Sequence, residues 1–287
     1  MQSLWMIVAS LLFACMGVCV KLGSAHFSIG ELVFYRGFVG FLLMLMLTHL
    51  QGIPRTTPHW RLQVSRGLSG TVSLMCYFFA LGILPLATAV TLAYTSPLFV
   101  ALLLVLWFRE RLGMKAFAAI GLGFVGVVLL LKPTLQAEQW VGALAGLGSG
   151  LIASVAYVNV RELGRAGEPE ARTVLWFSGV TSLFGLAWAL AGGDLHAIDS
   201  ERAAIILGVG GFGGCAQLAM TRADRYGKTV VSANLSYTTV IFSSLFGVAL
   251  WNERLPWTSI AAIAVIIASG VLVSLSSRQT TPAAESD

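Results

Sequence analysis

Apolar segments of about 20 residues, separated by short polar connections, follow one another along most of this 287-residue chain. An apolar helix of about 20 residues is long enough to cross the ~30 Å hydrocarbon core of a bilayer. The pattern therefore predicts an all-α polytopic membrane protein with ten transmembrane helices. The ten predicted spans are residues 4–22, 30–50, 65–84, 88–108, 114–132, 140–160, 172–192, 203–222, 229–251 and 256–276.

One polar-faced segment occurs twice. Residues 86–112 and 227–255 each combine a long apolar run with a cluster of Thr, Ser, Tyr or Asn in the first half, and each ends in Glu-Arg-Leu. A helix that faced only lipid would carry no such cluster, so the repeat indicates two related halves around a pathway through the membrane. We assign residues 1–135 to a first five-helix repeat, 136–277 to a second, and 278–287 to a disordered cytoplasmic tail.

The distribution of Lys and Arg predicts the orientation of these halves. If the N-terminus lies in the cytoplasm, 13 of the 18 basic residues, Arg66 among them, fall in cytoplasmic connections. An excess of basic residues marks the cytoplasmic side, so both termini are expected there. Because each repeat has an odd number of helices, the second repeat is predicted to be inverted, with the turn at Glu110 inside and the turn at Glu253 outside.

Composition supports a membrane protein and argues against several functions. Hydrophobic residues make up 57% of the chain and charged residues 11%, against about 25% charged in soluble proteins. The mean hydropathy is +0.83. The net charge of +5 lies in short connections, so no nucleic-acid partner is expected. The four cysteines all lie in apolar segments and are expected to be reduced thiols, without a metal or another cofactor.

Catalysis is not expected from this sequence. The four histidines lie in or beside connections, and no Asp or Glu lies deep within a predicted span. An enzyme would need a nucleophile with a base, paired buried carboxylates or a His-rich metal site. The same pattern argues against a buried acid as a proton carrier, while coupling to a proton or substrate gradient through other groups stays open.

Hydroxyl and amide side chains on several spans are the strongest sign of a ligand site. Thr91 and Tyr94 share one helix face, and Asn234 and Tyr237 are their counterparts in the second repeat. Each residue alone is explained by a hydrogen bond to a neighbouring helix. Their clustering on four or more helices favours a central polar and aromatic cavity. The predicted substrate-binding residues are Tyr77, Tyr94, Tyr157, Tyr237, Thr91, Asn234, Ser73, Asn159 and Arg36.

Two further residues are unusual inside apolar helices. Arg36 lies about two turns into the second span, where an arginine is costly. It either binds a substrate carboxylate or reaches the membrane interface or Glu31. Pro97 lies within the fourth span, where it removes a backbone hydrogen bond and frees the carbonyl of Ala93. We predict a gating role for Pro97 and an asymmetric hinge, because the second repeat has Val240 at the equivalent position.

Two G-x-G-x-x-G sequences, residues 121–126 and 208–213, lie within apolar spans. A dinucleotide site would need a preceding strand and an exposed helix start. Small residues within membrane helices allow close helix packing, and packing is therefore the preferred interpretation.

Several longer stretches form a recognisable set. The fourth span contains TLAYTSPLF and ends in WFRERL, the ninth ends in LWNERL, and the second begins ELVFYRGFVG, which includes Arg36. Over residues 1–277 the chain resembles the EamA-type branch of the drug/metabolite transporter superfamily. The resemblance implies a multi-pass protein of the bacterial inner membrane that moves small molecules by alternating access. It also implies a central cavity formed by helices one to four and six to nine, with helices five and ten outside.

Members of that family export amino acids and other metabolites, or exchange nucleotide sugars and sugar phosphates. Bulky aromatic residues in a cavity without deep acids favour a neutral or zwitterionic, partly apolar molecule, so amino-acid export is the first expectation. A nucleotide-sugar or sugar-phosphate exchanger would want several deep basic residues, and the sequence offers Arg36 alone. A passive channel would need a continuous wet pore. The protein is expected to act in the lipid bilayer as a monomer or weak dimer.

Overall fold

The computed structural model describes residues 4–106, 114–131, 139–192, 196–226, 235–254 and 256–276. Throughout these ranges the regular structure is helical, with eleven α-helices and no strand. The helices are α1 (Trp5–Gly23), α2 (Ile29–Leu50), α3 (Trp60–Ile83), α4 (Leu86–Ala93), α5 (Ser96–Leu106), α6 (Met114–Leu131), α7 (Trp140–Arg165), α8 (Glu170–Gly192), α9 (Ser200–Tyr226), α10 (Thr238–Trp251) and α11 (Trp257–Ser276). The turn at Glu110 and the tail at 278–287 lie outside the described residues.

Six of these helices, α1, α2, α3, α7, α8 and α9, are long and apolar enough to cross a membrane. The other described helices are also apolar, and they lie where spans four, five, nine and ten were predicted. Large apolar side chains such as Leu144, Leu183 and Trp188 are exposed on the outside of the bundle, as contact with lipid requires. The chain is therefore an all-α polytopic membrane protein.

The fourth predicted span is interrupted. Tyr94 and Thr95 form a turn between the end of α4 and the beginning of α5. The Thr95 hydroxyl donates to the carbonyl oxygen of Leu92 at 2.6 Å, which satisfies one acceptor at the interruption. Pro97 is the second residue of α5, and a proline in the first turn of a helix removes no helical hydrogen bond. The proline therefore follows the interruption and does not lie at it.

The equivalent segment of the second half is also interrupted, although it has no proline. A turn at Tyr237, the counterpart of Tyr94, separates residues 235–236 from α10. The Val240 N–H donates to the Tyr237 carbonyl at 3.0 Å, a short i to i+3 bond that tightens the first turn of α10. The helix interruption is thus common to both halves, whereas the sequence predicted it only where Pro97 lies.

Close helix contacts at glycines hold the bundle together. α2 packs along α8, α1 along α9, α3 along α7, and α6 along α11. A methyl group on Gly37 would collide with the backbone of Ser182, and one on Gly185 would collide with the backbone of Phe34. Such backbone-to-backbone approaches require glycine and provide the dispersion contacts that associate helices in lipid.

Five of the six glycines of the two G-x-G-x-x-G sequences are packing residues in this structure, and the sixth faces open space. Gly123 and Gly126 lie against side chains of α5 and α11, and Gly208 and Gly210 lie against side chains of α1 and α2. Both sequences are within helices, and neither follows a strand in the described part of the chain. The contacts agree with the packing interpretation.

One end of the bundle is closed by an ion pair, and we call it the Lys21 end. The Lys21 ammonium binds the Glu253 carboxylate, which also accepts from the Leu86 N–H at 2.9 Å. Lys21 donates in addition to the Leu84 carbonyl at 3.3 Å and lies 4.9 Å from the centre of the Trp251 ring. The carboxylate therefore joins α1 and α10 to the N-terminus of α4, where the helix dipole favours an anion.

The opposite end, the Glu168 end, is held by a second polar network. Glu168 pairs with Arg172 at 3.0 Å and accepts from the Thr57 hydroxyl and, at 3.4 Å, from the Gln63 amide. Arg172 Nε also donates to the Pro54 carbonyl at 2.7 Å. These bonds fix the connection between α2 and α3 onto the connection between α7 and α8.

The closure of the Lys21 end predicts a difference in stability between two glutamate variants. Glu253→Gln leaves the Lys21 ammonium, whose side chain is only 16% exposed, without its counter-charge. Breaking a buried pair in this way costs about 3–5 kcal/mol. The matched control is Glu162→Gln, because Glu162 pairs with Arg165 at the exposed helix surface, where a pair contributes less than about 1 kcal/mol.

Melting temperatures of both variants in one detergent should therefore differ by several degrees, with Glu253→Gln the less stable. Equal melting temperatures would contradict a stabilising role for the Lys21 closure.

Candidate functional site

A cavity of about 150 Å³ lies in the middle of the bundle. Its lining comes from α1, α2, α3, the α4–α5 turn, α7, α8 and α9, and thus from both halves of the chain. An engineered protein cavity of similar volume binds benzene, so this cavity suits a small molecule. Towards the Lys21 end the helices pack without exposed surface at Val20, Leu81 and Val90. The cavity is therefore closed on that side.

Five of the predicted substrate-binding residues line the cavity. They are Arg36, Ser73, Tyr77, Tyr94 and Tyr157. The Tyr94 hydroxyl shares a hydrogen bond of 2.8 Å with the Thr239 hydroxyl of α10, so the two interrupted segments are joined beside the cavity. The Ser73 hydroxyl donates to the Ser149 carbonyl at 2.9 Å, and it therefore also serves the packing of α3 on α7.

Two other predicted residues make structural hydrogen bonds outside the cavity lining. The Thr91 hydroxyl donates to the Ala87 carbonyl of its own helix at 2.6 Å. The Asn159 amide donates to the Ser65 hydroxyl at 2.9 Å and so connects α7 to α3. Asn234 lies outside the described residues, and its predicted role is not addressed by these contacts.

Tyr237 lies close to the cavity but points away from it. Its ring centre is 6.4 Å from that of Tyr94, and its side chain is buried. The Tyr237 hydroxyl lies against Gly270 of α11, where a methyl group would collide with it. Sequence symmetry pairs Tyr237 with Tyr94, but the structure gives the two rings different surroundings.

The interruption between α4 and α5 opens onto the cavity. Ala93, Tyr94 and Ser96 all contribute to the lining. Pro97 is not among the lining residues in the described part of the chain, so a gating role would have to act through the turn. Gly150 of α7 lies so close to the turn that a methyl group there would collide with a threonine hydroxyl. The carbonyl oxygen of Ala93 also lies close to Gly150, so this backbone group at the interruption faces α7, as irregular backbone within a membrane requires.

The Arg36 side chain lines the cavity. It neither extends to the membrane interface nor pairs with Glu31. The residue is only 5% exposed. Glu31 accepts from the Ser28 N–H at 2.8 Å and from the His196 N–H at 2.8 Å, and the His196 ring nitrogen lies 2.9 Å from it. The Arg36 guanidinium instead lies 5.0 Å from the centre of the Phe177 ring on α8.

Arg66 is a second buried cation of the cavity. Charge counting along the sequence places it in a cytoplasmic connection, but it lies on α3, is 7% exposed and lines the cavity. Its guanidinium is 4.1 Å from the centre of the same Phe177 ring. A signal was available in the sequence, because Arg66 shares one helix face with Ser73 and Tyr77, two and three turns further along α3.

The cavity is electropositive. No Asp or Glu contributes to its lining among the residues described, whereas Gln217 and several hydroxyls add neutral polar groups. Across the same ranges no group of three or more His, Cys, Asp or Glu could hold a metal ion. Two guanidinium groups beside tyrosine rings can bind a carboxylate or another small anion with an apolar part.

Comparison with known proteins agrees with this picture. The sequence profile of the EamA-like transporter family matches the chain twice, over residues 1–132 and 140–275. A solved crystal structure superposes on 100% of this chain and 99% of its own, with a TM-score of 0.70 at 22% identity, which shows a shared fold.

Relatives with similar sequences are transporters. A pseudopaline exporter of Pseudomonas aeruginosa is 30% identical over 268 residues, 93% of this chain and 91% of the exporter. An uncharacterized transporter of Helicobacter pylori is 28% identical over 283 residues, 94% of this chain and 93% of its own. A riboflavin transporter of Rhizobium johnstonii is 27% identical over 195 residues, 67% of this chain and 64% of its own. Because the family profile covers nearly the whole sequence, this chain belongs to the EamA-like transporter family.

Proposed function

We propose that this membrane transporter is a secondary carrier that exports small metabolites, with amino acids as the substrate class, by alternating access. The observation that carries the proposal is the central cavity, because both halves of the chain line it and the Lys21–Glu253 pair closes one end. A site between two halves is exposed to either side when the halves move relative to each other. The exporter among the relatives supports outward transport.

The proposal includes ten spans in two inverted repeats, residues 1–135 and 136–277. If α7, α8 and α9 repeat α1, α2 and α3 with inverted orientation in the membrane, each helix–helix contact between the two halves should have a symmetry-related counterpart. α1 packs on α9 as α7 packs on α3, and α2 packs on α9 as α8 packs on α3. One family match in each half supports the same division. With both termini in the cytoplasm and the protein in a bacterial inner membrane, the Lys21 end faces outwards.

The described conformation suits the loading of an exporter. Arg66 lies near the start of α3 and Met220 near the end of α9, each within about two helical turns, or roughly 10 Å, of the Glu168 end. The lining therefore approaches the Glu168 end, while the Lys21 end is closed. In the proposed orientation this conformation faces the cytoplasm.

The lining suits a molecule with an acidic group and an apolar part. Arg36 and Arg66 supply guanidinium groups, which bind carboxylates through two parallel hydrogen bonds. Tyr77 and Tyr94 supply flat apolar rings with hydroxyl groups. An amino acid fits this set because its carboxylate can reach an arginine while its ammonium group faces the tyrosine hydroxyls or the Gln217 side chain.

A sugar-phosphate or nucleotide-sugar exchanger is the second candidate, and Arg66 is the observation that favours it. The sequence alone offers one deep basic residue, and a phosphate group is better bound by two. Arg36 and Arg66 now provide two. The volume of about 150 Å³ favours the smaller amino acid or sugar phosphate over a nucleotide sugar.

Counterflow in proteoliposomes tests the proposed function. Vesicles loaded with unlabelled glutamate or phenylalanine and diluted into a trace of the labelled compound should accumulate label transiently above its equilibrium level, because a carrier exchanges one molecule for another. Glucose 6-phosphate tests the second candidate in the same way. If the label of all three compounds equilibrates without any overshoot, the protein is a channel or does not transport them. That result would contradict the carrier proposal.

The tyrosines of the cavity give a second test. Tyr77→Phe and Tyr94→Phe each remove one hydroxyl hydrogen bond, worth about 0.5–1.5 kcal/mol, and should raise the half-saturating substrate concentration at most about tenfold. Replacement by Ala should cost more, because it also removes the ring. Tyr237→Phe is the matched control, since its hydroxyl lies against Gly270 outside the cavity lining, and it should leave the half-saturating concentration unchanged.

Melting temperatures of the same variants separate binding from packing. If Tyr77 and Tyr94 variants lose stability but keep the wild-type half-saturating concentration, these tyrosines are packing residues and the substrate site lies elsewhere.

The gating role of Pro97 stays a prediction. Because the second half is interrupted without a proline, Pro97→Ala should keep the turn at Tyr94, but the new N–H can donate across the turn to the Ala93 carbonyl and restrain its movement. We expect slower exchange at normal expression in the counterflow assay. An exchange rate equal to that of the wild type would show that the proline is only tolerated.

A further inference from the structure

We infer that Arg36 and Arg66 form a two-point anion site and that the preferred cargo is a small organic dianion whose acidic oxygens reach both guanidinium groups. This inference rests on the proposed function in taking the cavity as the cargo site, and it narrows the substrate class. Within the amino acids and related metabolites, it favours molecules with two acidic groups over zwitterions.

The two arginines approach the same aromatic ring of the cavity from different helices. Arg36 comes from α2 and Arg66 from α3, and their guanidinium carbons lie 5.0 Å and 4.1 Å from the centre of the same Phe177 ring. Like charges repel each other, so placing two cations at one ring costs free energy. An anion bound between the two cations would offset that cost.

Both guanidinium groups are buried, and each has a donor without a partner among the described residues. The residues are 5% and 7% exposed, and within the described ranges neither Nε atom has a hydrogen-bond partner. No Asp or Glu from this part of the chain lines the cavity to neutralise them. A buried charged donor is strongly destabilising when it is left unpaired. The arrangement therefore lacks an anionic acceptor, which a bound cargo would supply.

The surroundings of the arginines leave room for these groups. Gly70 lies one turn after Arg66, and a methyl group on it would collide with the Arg66 guanidinium and with the Phe177 ring. Gly213 of α9 lies against the Arg36 side chain, at an ordinary van der Waals distance for an added methyl group. Gly70 thus leaves the space that the Arg66 guanidinium occupies beside the Phe177 ring.

Cation–π stacking on Phe177 is a simpler explanation for the positions of the two arginines. It accounts for only part of their geometry. A ring face attracts a cation but accepts no conventional hydrogen bond from its N–H groups. Arg61 shows what stacking alone looks like, because it lies 5.5 Å from the Trp60 ring centre at the exposed start of α3. An arginine that only stacks can remain exposed in this way, whereas Arg36 and Arg66 are buried beside a cavity.

The chemistry of the pair selects the cargo. A guanidinium group presents a planar set of donors that matches one carboxylate, so two such groups match two carboxylates on one small molecule. A zwitterion would satisfy one arginine and place its ammonium group near the other. A monoanion would leave one arginine unpaired.

Three ligands with the same phenyl group and different charges test the inference on purified wild-type protein in detergent. Benzylsuccinate is a dianion, 3-phenylpropionate a monoanion and phenylalanine a zwitterion. Calorimetric titration should give the tightest binding for benzylsuccinate, by about tenfold over 3-phenylpropionate, since one further charge-assisted contact forms. Added salt should weaken benzylsuccinate most. Equal binding of the first two ligands, or tighter binding of phenylalanine, would overturn the inference.

Variants then locate the effect. Arg36→Gln and Arg66→Gln should each remove the advantage of benzylsuccinate over 3-phenylpropionate, and Gly70→Ala should do the same by displacing Arg66. Arg61→Gln is the control, because it removes an exposed charge from the same helix. Arg66→Lys keeps the charge and should retain part of the advantage. If all the buried-site variants keep the full advantage, the dianion does not bind at the arginine pair.

The outcomes also separate this inference from the proposed function. Tight benzylsuccinate binding without counterflow of any compound would support the anion site and contradict the carrier proposal. If phenylalanine shows counterflow and Arg66→Gln does not change it, the carrier proposal is supported and the dianion site is contradicted.

Discussion

Backbone groups that leave a helix within a membrane must be satisfied by protein or face a cavity, and two interrupted segments place that constraint at the centre of this bundle. The turn at Tyr94 and the turn at Tyr237 lie side by side, and the hydrogen bond from Tyr94 to Thr239 joins their segments. Residues around the first turn line the cavity. The cavity therefore lies beside the first interruption, and the long apolar helices pack around it.

Both arginines of the cavity come from the first half of the chain, and the ring that they share comes from the second half. Phe177 of α8 lies against Arg36 of α2. An arginine at both positions would bring two cations together. An aromatic ring at one position instead gives the cation a face on which to lie. Arg66 uses the same ring, so one phenylalanine orients both guanidinium groups.

The sequence predicted the helices well because hydrophobic periodicity and length decide where an apolar span lies. It predicted individual side-chain surroundings less well, because those depend on which neighbour each helix face meets. Tyr237 matches Tyr94 in the repeat, yet its hydroxyl faces Gly270. Arg66 was assigned to a connection because charge counting does not register how deep a helix extends. The interruption at Tyr237 contains no proline, so no local signal in the sequence predicts it.

In the proposed alternating-access cycle the Lys21 end opens during transport, and a distance across that end measures the opening. Spin labels at positions 25 and 254, which are exposed at the ends of α1 and α10, can be introduced after the four native cysteines are replaced. Pulsed electron paramagnetic resonance should then give two distances, a short one for the closed Lys21 end and a long one for the open end. The fraction of molecules at the long distance should increase in the Glu253→Gln variant, and benzylsuccinate should change the proportion of the two distances. A single short distance that neither the variant nor the ligand changes would contradict alternating access.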